Sequence, residues 1–216
     1  MRTLFNYIEE NSPKPETLVI IFGLAGDPPH SGHMQAIKYL LTFPNSEIKV
    51  VLSAAHAFNK RLSPFEKRKE WLTILLKESF TEKELKRIDI SNIEEKISLK
   101  NPEKKVHTID LIDYYKEKYS NEKIALAFGP DNANDETLMR FKSWVELKEY
   151  SIIVIPEMKT NEKISRSTQI RYLLIDQKEK ELIGFMGEEL TTNILEWLKT
   201  DAGNNWLIQR KITVQE

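Results

Sequence analysis

Short, continuous apolar runs recur along this chain, separated by segments with helical periodicity. The clearest are Leu18–Phe22 and Ile124–Phe128, and Ile48–Leu52, Arg87–Ile90 and Ser151–Ile155 are predicted as further strands. A run that stays apolar at successive positions is typical of a parallel strand buried on both faces. The pattern predicts an α/β fold, a Rossmann-like open parallel sheet with helices on both faces.

Amphipathic segments between these runs predict helices. The first is His33–Phe43, and a later one is Val106–Tyr119. A helix to about Lys77 is expected to start with Ser63 as its N-cap and Pro64 at its first helical position. Strand–helix–strand units of this kind imply parallel strands joined by right-handed crossovers.

The two ends of the chain carry weaker signals. Residues Leu4–Glu10 predict either a short helix packed on the domain or a frayed arm. Residues 179–199 predict one or two helices broken at Gly184 and Gly187. The tail from Asn204 onward predicts an added strand or an arm.

Charge and composition narrow the function classes. The chain has 32 basic and 33 acidic residues and a net charge of -1, so a strongly basic nucleic-acid footprint is excluded and any anion site must be built locally. It has no cysteine, which excludes disulfides and thiolate catalysis. No apolar run reaches the roughly 20 residues that span a bilayer.

We expect one domain over residues 1–216, with 1–17 as an N-terminal extension and about 178–216 as C-terminal helices and tail. We expect it in the cytoplasm without nucleic-acid or membrane partners, and the oligomeric state is left open.

The first apolar run leads into a candidate phosphate site. Gly23 ends the strand, a Gly/Pro-rich loop follows, and His30, Gly32 and His33 open the next helix. A helix N-terminus binds anions because its first N–H groups lack intrahelical partners and carry the positive end of the helix dipole. Two histidines three residues apart lie on one face of that turn and can both point at one anion.

A second helix N-terminus follows the last predicted strand. Ser167 and Thr168 precede an apolar-periodic helix, and Arg171 lies one turn into it. The loop after the second strand carries Lys60, and the next helix carries Arg68. Such loops face the ligand crevice of an open α/β sheet.

Four ordered segments together resemble nicotinate or nicotinamide mononucleotide adenylyltransferases. They are GLAGDPPHSGH with its HxGH signature, the Lys60 loop with Arg68, GPDN with FKSW, and SRSTQIR. HTIDL, with Thr108, also resembles the family's SYT segment. KISRS is similar to the KMSKS loop of class I aminoacyl-tRNA synthetases, which share HxGH, but the chain is short for that class and GPDN and FKSW fit it less well.

The resemblance implies that a mononucleotide phosphate attacks the α-phosphorus of ATP and expels pyrophosphate, with no protein nucleophile. The implied catalytic residues are His30, His33, Lys60 and Arg171. The implied ATP-binding residues are Gly23, Leu24, His30, Gly32, His33, Gly129, Asp131, Ser167, Thr168 and Arg171. The implied mononucleotide-binding residues are Asp27, Lys60, Arg68, Thr108 and Trp144. The Mg²⁺ cofactor is expected on the ATP phosphates, with no metal site formed by the protein.

Some positions depart from the family pattern. Ala25 and Gly26 replace a hydroxyl and an aromatic residue, which is expected to enlarge or loosen the site near the mononucleotide. Leu111 replaces a threonine, and Arg166 replaces a serine. Two other hypotheses therefore stay open: a related transferase with another acceptor, such as phosphopantetheine or a phosphorylated sugar, and a non-catalytic nucleotide-binding paralogue.

Overall fold

The computed structural model describes residues 4–15, 17–54, 62–101, 105–120, 122–157, 159–160, 163–164 and 167–214. At 159–160, 163–164 and 211–214 the description is of the backbone alone. Within these ranges, no helix is both long and apolar enough to cross a bilayer.

A six-stranded sheet, parallel at every strand pair, forms the centre of the fold. Its strands are β1 (Asn6–Ile8), β2 (Leu18–Leu24), β3 (Glu47–Leu52), β4 (Ile88–Ser91), β5 (Lys123–Phe128) and β6 (Ser151–Val154). The order across the sheet is β1-β6-β5-β2-β3-β4. A separate antiparallel pair consists of β7 (Lys159–Thr160) and β8 (Lys163–Ile164). The parallel sheet and the five predicted strands are confirmed.

Helices connect the strands and form the C-terminal part. They are α1 (Ser31–Leu41), α2 (Phe65–Ser79), α3 (Glu82–Leu85), α4 (Ile93–Lys100), α5 (Thr108–Lys118), α6 (Asp135–Leu138), α7 (Trp144–Leu147), α8 (Ser167–Ile175), α9 (Glu179–Met186), α10 (Glu188–Leu198) and α11 (Asp201–Val214). Gly187, with φ of +78°, separates α9 from α10, whereas Gly184 lies inside α9 and does not break it. The prediction of a strand or an arm for the tail is wrong, because these residues form α11.

The prediction of a helix or a frayed arm at Leu4–Glu10 is also wrong. Phe5 and Ile8 have the spacing of a helical stripe, but they lie in two different cores, on opposite faces of the sheet. Strand β1 pairs with β6, and Asp135 accepts hydrogen bonds from the Leu4 N–H at 3.1 Å and the Tyr7 hydroxyl at 2.8 Å. The N-terminal segment is therefore fixed to the start of α6.

Alternate residues of the strands face two hydrophobic cores. In β2, Ile20 belongs to the core that contains α1, α2 and the C-terminal helices, and Ile21 belongs to the core that contains α5. Trp197 packs between Trp71 and Trp206, with ring centroids 5.1 and 5.7 Å away. These contacts hold α10 and α11 against α2.

The direction of the chain across the sheet reverses at β2. Strands β3 and β4 follow on one side of β2, and β5 and β6 follow on the other. Ligands of open α/β sheets bind outside the carboxyl ends of the strands at such a switch point. Gly23 and Gly129 lie at or just after the ends of β2 and β5, and a Cβ added to either would meet nothing within 4 Å. Open space therefore lies beside both glycines, at the place where a ligand is expected.

Arg87 lies at the amino ends of the strands, away from the carboxyl ends where a ligand is expected. Its replacement should therefore lower stability without changing activity. Its guanidinium donates to the carbonyl oxygens of Leu41 at 3.0 Å, Phe43 at 2.6 Å and Ser46 at 3.0 Å. We expect Arg87→Met to lower the free energy of unfolding by about 2–3 kcal/mol, since three part-buried acceptors lose their donor. The melting temperature should fall by roughly 5–10 °C while activity at 25 °C stays unchanged. An unchanged melting temperature, measured by calorimetry, would contradict this role.

Candidate active site

The N-terminus of α1 is capped by its two histidines. His30 is the N-cap residue, with extended backbone (φ -156°, ψ 172°), and its Nδ1 accepts a hydrogen bond from the Gly32 N–H at 3.2 Å. In return, the His30 N–H donates to Nδ1 of His33 at 3.1 Å. The ring centroids are 3.9 Å apart, so both imidazoles lie side by side at the start of the helix.

These hydrogen bonds determine the protonation of both rings. An Nδ1 atom that accepts from a backbone N–H carries no proton, so the neutral imidazole has its proton on Nε2. Burial lowers the pKa of His33 from its ordinary 6.5 to about 4. The pKa of His30, which is only 4 % exposed, is lowered well below its usual value by burial and by the nearby His33 and Arg171. At neutral pH the site therefore has two uncharged rings, each with one remaining N–H donor.

Asp27 joins this loop to distant parts of the chain. Its side chain is 2 % exposed. One carboxylate oxygen accepts from the Ser63 N–H at 3.2 Å and, in a short hydrogen bond, from the Ser63 hydroxyl. The other oxygen accepts from Arg210 Nη2 at 2.8 Å. The loop before α1 is thus tied to the start of α2 and to the C-terminal helix.

The second predicted phosphate segment reaches the same loop. The Ser167 hydroxyl donates to the Pro28 carbonyl oxygen at 3.3 Å. Arg171 donates to the Asp27 carbonyl oxygen at 2.9 Å and to the Thr168 hydroxyl at 2.9 Å. The N-terminus of α8 therefore lies beside the loop that leads into α1, although more than 130 positions separate them in sequence. Arg166 lies outside the described residues.

The buried side chain of Arg68 also binds this loop. It is 1 % exposed, and it donates to the carbonyl oxygens of Ser63 at 2.9 Å and Ala25 at 2.7 Å. Its guanidinium thus fixes the Gly-rich loop relative to α2. Lys60 and the rest of its predicted loop lie outside the described residues.

The structure corrects the expectation of a looser site at Gly26. Gly26 has φ of +57°, a conformation that suits glycine. A Cβ there would lie 2.8 Å from Leu24 Cδ1 and 2.9 Å from Leu52 Cδ2. The space that a larger residue would need is filled by Leu24 and Leu52. Backbone at Leu24 is anchored as well, since its carbonyl oxygen accepts from the Ser53 N–H at 3.1 Å.

The residues expected at the nucleoside ends lie on three separate segments of the chain. Asp131 is exposed just after β5, in the turn that precedes α6. Trp144 begins α7, and it is half-buried against the second core with Lys148 Nζ 4.4 Å from its ring centroid. Thr108 is the first residue of α5, whereas Leu111 is buried in the core. The Leu111 substitution therefore extends the core instead of changing a surface that faces ligand.

Sequence reasoning missed two residues of this arrangement. Ser63 was expected to cap α2, but its hydroxyl binds Asp27, and Pro64 at the cap makes no side-chain hydrogen bond. Arg210 was part of the tail expected as a strand or an arm. Trp206 lies four residues before Arg210, and an aromatic residue at this spacing indicates a helix packed on the core. This signal could have predicted the helix that carries Arg210.

The low pKa of His33 predicts a pH-dependent stability. Because the folded pKa is about 4 and the unfolded value is 6.5, the unfolded chain binds more protons between these values. This stabilisation is complete above pH 6.5 and is lost as the pH falls towards 4. From pH 7 to pH 5, His33 should lower the free energy of unfolding by about 2 kcal/mol.

Urea unfolding at both pH values checks this, with His33→Asn as the control. Asparagine keeps an acceptor for the His30 N–H and does not titrate, so its pH dependence should be shallower than that of the wild type. Equal pH dependence in the two proteins would show that His33 is not held neutral.

Comparison with known proteins agrees with this geometry. A probable nicotinate-nucleotide adenylyltransferase of Sulfurimonas denitrificans is 30% identical over 162 residues, covering 74% of this chain and 79% of the relative. Another, of Chlorobium phaeobacteroides, is 28% identical over 163 residues, covering 75% of this chain and 78% of the relative. No protein-family model matches the chain.

A solved structure shares the fold. Plasmodium falciparum nicotinic acid mononucleotide adenylyltransferase, complexed with NaAD, superposes with a TM-score of 0.64 at 20% identity. The match covers 86% of this chain and 97% of the Plasmodium chain. The identity and coverage of the curated relatives show that the chain belongs to the nicotinate-nucleotide adenylyltransferase family of nucleotidyltransferases.

Proposed function

We propose that this protein transfers the adenylyl group of ATP to nicotinate mononucleotide, forming the dinucleotide used in NAD biosynthesis and releasing pyrophosphate. The observation that carries the proposal is the junction of two helix N-termini, where α8 binds the loop that leads into α1. Two such termini beside one crevice suit a polyphosphate. The names of the curated relatives favour the acid form of the pyridine ring, and the cytoplasm is retained as the location in this proposal.

The reaction needs alignment more than activation. An oxygen of the mononucleotide phosphate forms a bond to the α-phosphorus of ATP, and the bond from that phosphorus to the bridging oxygen breaks, so pyrophosphate leaves with the electron pair. The nucleophile is already an anion and needs no general base. Alignment of two bound reactants contributes roughly 7–11 kcal/mol, more than the roughly 3–4 kcal/mol of a single well-placed donor.

The phosphate-binding roles follow from charge and from free donors. His30 and His33, held neutral, donate from Nε2 to the α- and β-phosphate oxygens. Ser167, Thr168 and Arg171 bind the leaving pyrophosphate, and Arg171 adds the positive charge that the histidines lack. Lys60 remains part of the proposal as the cation at the reacting phosphate.

Other residues hold the two nucleosides or the loop between them. Backbone at Gly23, Leu24 and Gly129, together with Asp131, would hold adenosine. Thr108 and the Trp144 ring would hold the pyridine nucleotide. Both carboxylate oxygens of Asp27, and Nε and Nη1 of Arg68, are bonded within the protein, so in this proposal the two residues act by fixing the loop that binds the phosphates.

A divalent metal is expected with the ATP. Among the described residues, no group of three or more His, Cys, Asp or Glu side chains is arranged to hold a metal ion. The donors present at the site are N–H groups, hydroxyls and guanidinium groups, which suit phosphate oxygens. We therefore propose that Mg²⁺ is carried by the ATP phosphates, where it neutralises part of their charge.

Pyrophosphate release from Mg-ATP tests the proposal directly. The acceptors to compare are nicotinate mononucleotide, nicotinamide mononucleotide and phosphopantetheine. We expect dinucleotide formation with nicotinate mononucleotide as the preferred acceptor. Turnover with phosphopantetheine alone would assign another transferase, and binding of ATP without pyrophosphate release from any acceptor would indicate a non-catalytic paralogue.

His33→Ala tests the phosphate role of the histidines. We expect kcat/KM to fall by about a hundredfold or more, because a donor to a charged phosphate oxygen is lost. His33→Asn keeps the cap of α1 but not the Nε2 donor, so it should lose a similar factor with a melting temperature closer to that of the wild type. A folded His33→Ala protein with nearly full turnover would refute the assignment.

A further inference from the structure

Arg210 extends the C-terminal helix into the phosphate region. The Arg210 side chain is 11 % exposed, and its Nη2 atom lies 2.8 Å from a carboxylate oxygen of Asp27. Its guanidinium also lies 5.3 Å from the ring centroid of Trp206, which packs on Trp197. The tryptophan cluster thus fixes α11 on the fold, and Arg210 reaches from it to the loop before α1.

Several guanidinium groups lie near the same carboxylate. Asp27 interacts electrostatically with Arg68 and Arg171 as well as with Arg210. Burial lowers the pKa of Arg171, and the nearby charge of Arg210 lowers it further, so these two guanidinium groups are close enough to repel each other. Helix α11 also packs against α8, which carries Arg171. Arg68 also interacts with Glu94 and Glu95, whereas Arg171 and Arg210 lie close together beside the loop that leads into α1. Two guanidinium groups placed together there favour the binding of an anion.

We propose that Arg210 is a positioning residue of the ATP site, and that it couples docking of α11 to binding of the triphosphate. Through Asp27 it fixes the loop that places His30 and His33, and its charge offsets a carboxylate that would otherwise repel phosphate. The identity of the anion as ATP rests on the proposed function.

The effect of losing Arg210 follows from charge. Without it, Asp27 keeps its hydrogen bonds to Ser63 and its interactions with Arg68 and Arg171 but loses its ion pair, so the site loses one positive charge beside the loop that leads into α1. Less positive charge at the loop disfavours anion binding. The mononucleotide is held from the Trp144 side in our proposal, so its KM should change much less than that of ATP.

Binding of α,β-methylene-ATP, measured by titration calorimetry, tests the proposal. We expect Arg210→Met to weaken binding about tenfold, within the usual range of coupling between linked sites. Arg210→Gln keeps a donor for Asp27 and so should fold, but it lacks the charge and should weaken binding about fivefold. Arg87→Met is the matched control: it also removes a part-buried arginine, but at the amino edge of the sheet, and should lower the melting temperature without changing the affinity.

The double variant Arg210→Met with Asp27→Asn separates charge from packing. It removes both members of the ion pair, so binding should recover relative to Arg210→Met alone. Recovery of the melting temperature without recovery of the affinity would indicate a merely structural role of Arg210. Wild-type affinity in a folded Arg210→Met or Arg210→Gln protein, or equal losses in the single and double variants, would overturn the proposal.

The same measurements distinguish this inference from the proposed function. If the wild-type protein binds α,β-methylene-ATP but forms no dinucleotide, the proposed function fails while the role of Arg210 is still decided by the variants. If dinucleotide forms and the Arg210 variants bind ATP normally with unchanged KM, the function stands and the positioning role is refuted.

Discussion

The buried carboxylate of Asp27 is the constraint on which the candidate site depends. A carboxylate with 2 % exposure must be paired and hydrogen-bonded, because an isolated charge in the interior is strongly disfavoured. Its partners come from the start of α2 and from α11, and its own carbonyl oxygen binds Arg171 of α8. Through its side chain and its carbonyl oxygen, one residue therefore brings together three elements that are distant in sequence. The N-terminus of α1 is held among them.

In the proposed phosphate site, the positive charge comes from arginines and helix ends, while the histidines stay neutral. The reciprocal cap between His30 and His33 uses both Nδ1 atoms and leaves both Nε2 atoms as donors. Neutral Nε2–H donors can stay bound to phosphate oxygens while the charge on those oxygens changes, because the rings do not exchange protons near pH 7. Arg171 and Arg210 supply the positive charge.

Much of the fold could be predicted because apolar runs mark parallel strands directly. HxGH and the Ser167–Arg171 segment also pointed to the two helix N-termini, since cap residues are local in sequence. The failures involve tertiary contacts. Leu4–Glu10 became a strand only by pairing with β6, and the tail became helical where Trp206 packs on Trp197. The ion pair between Arg210 and Asp27 spans 183 positions, and no local pattern encodes it.

The central claim is that His30 and His33 are neutral, with the proton on Nε2. The most direct test is the ¹⁵N NMR spectrum of the histidine side chains at pH 7, with and without α,β-methylene-ATP, assigned through His30→Asn and His33→Asn. We expect an unprotonated Nδ1 and a protonated Nε2 in both rings, with the Nε2 signals shifting when the nucleotide binds. Imidazolium signals, or protons on Nδ1, in the free protein at pH 7 would contradict the account.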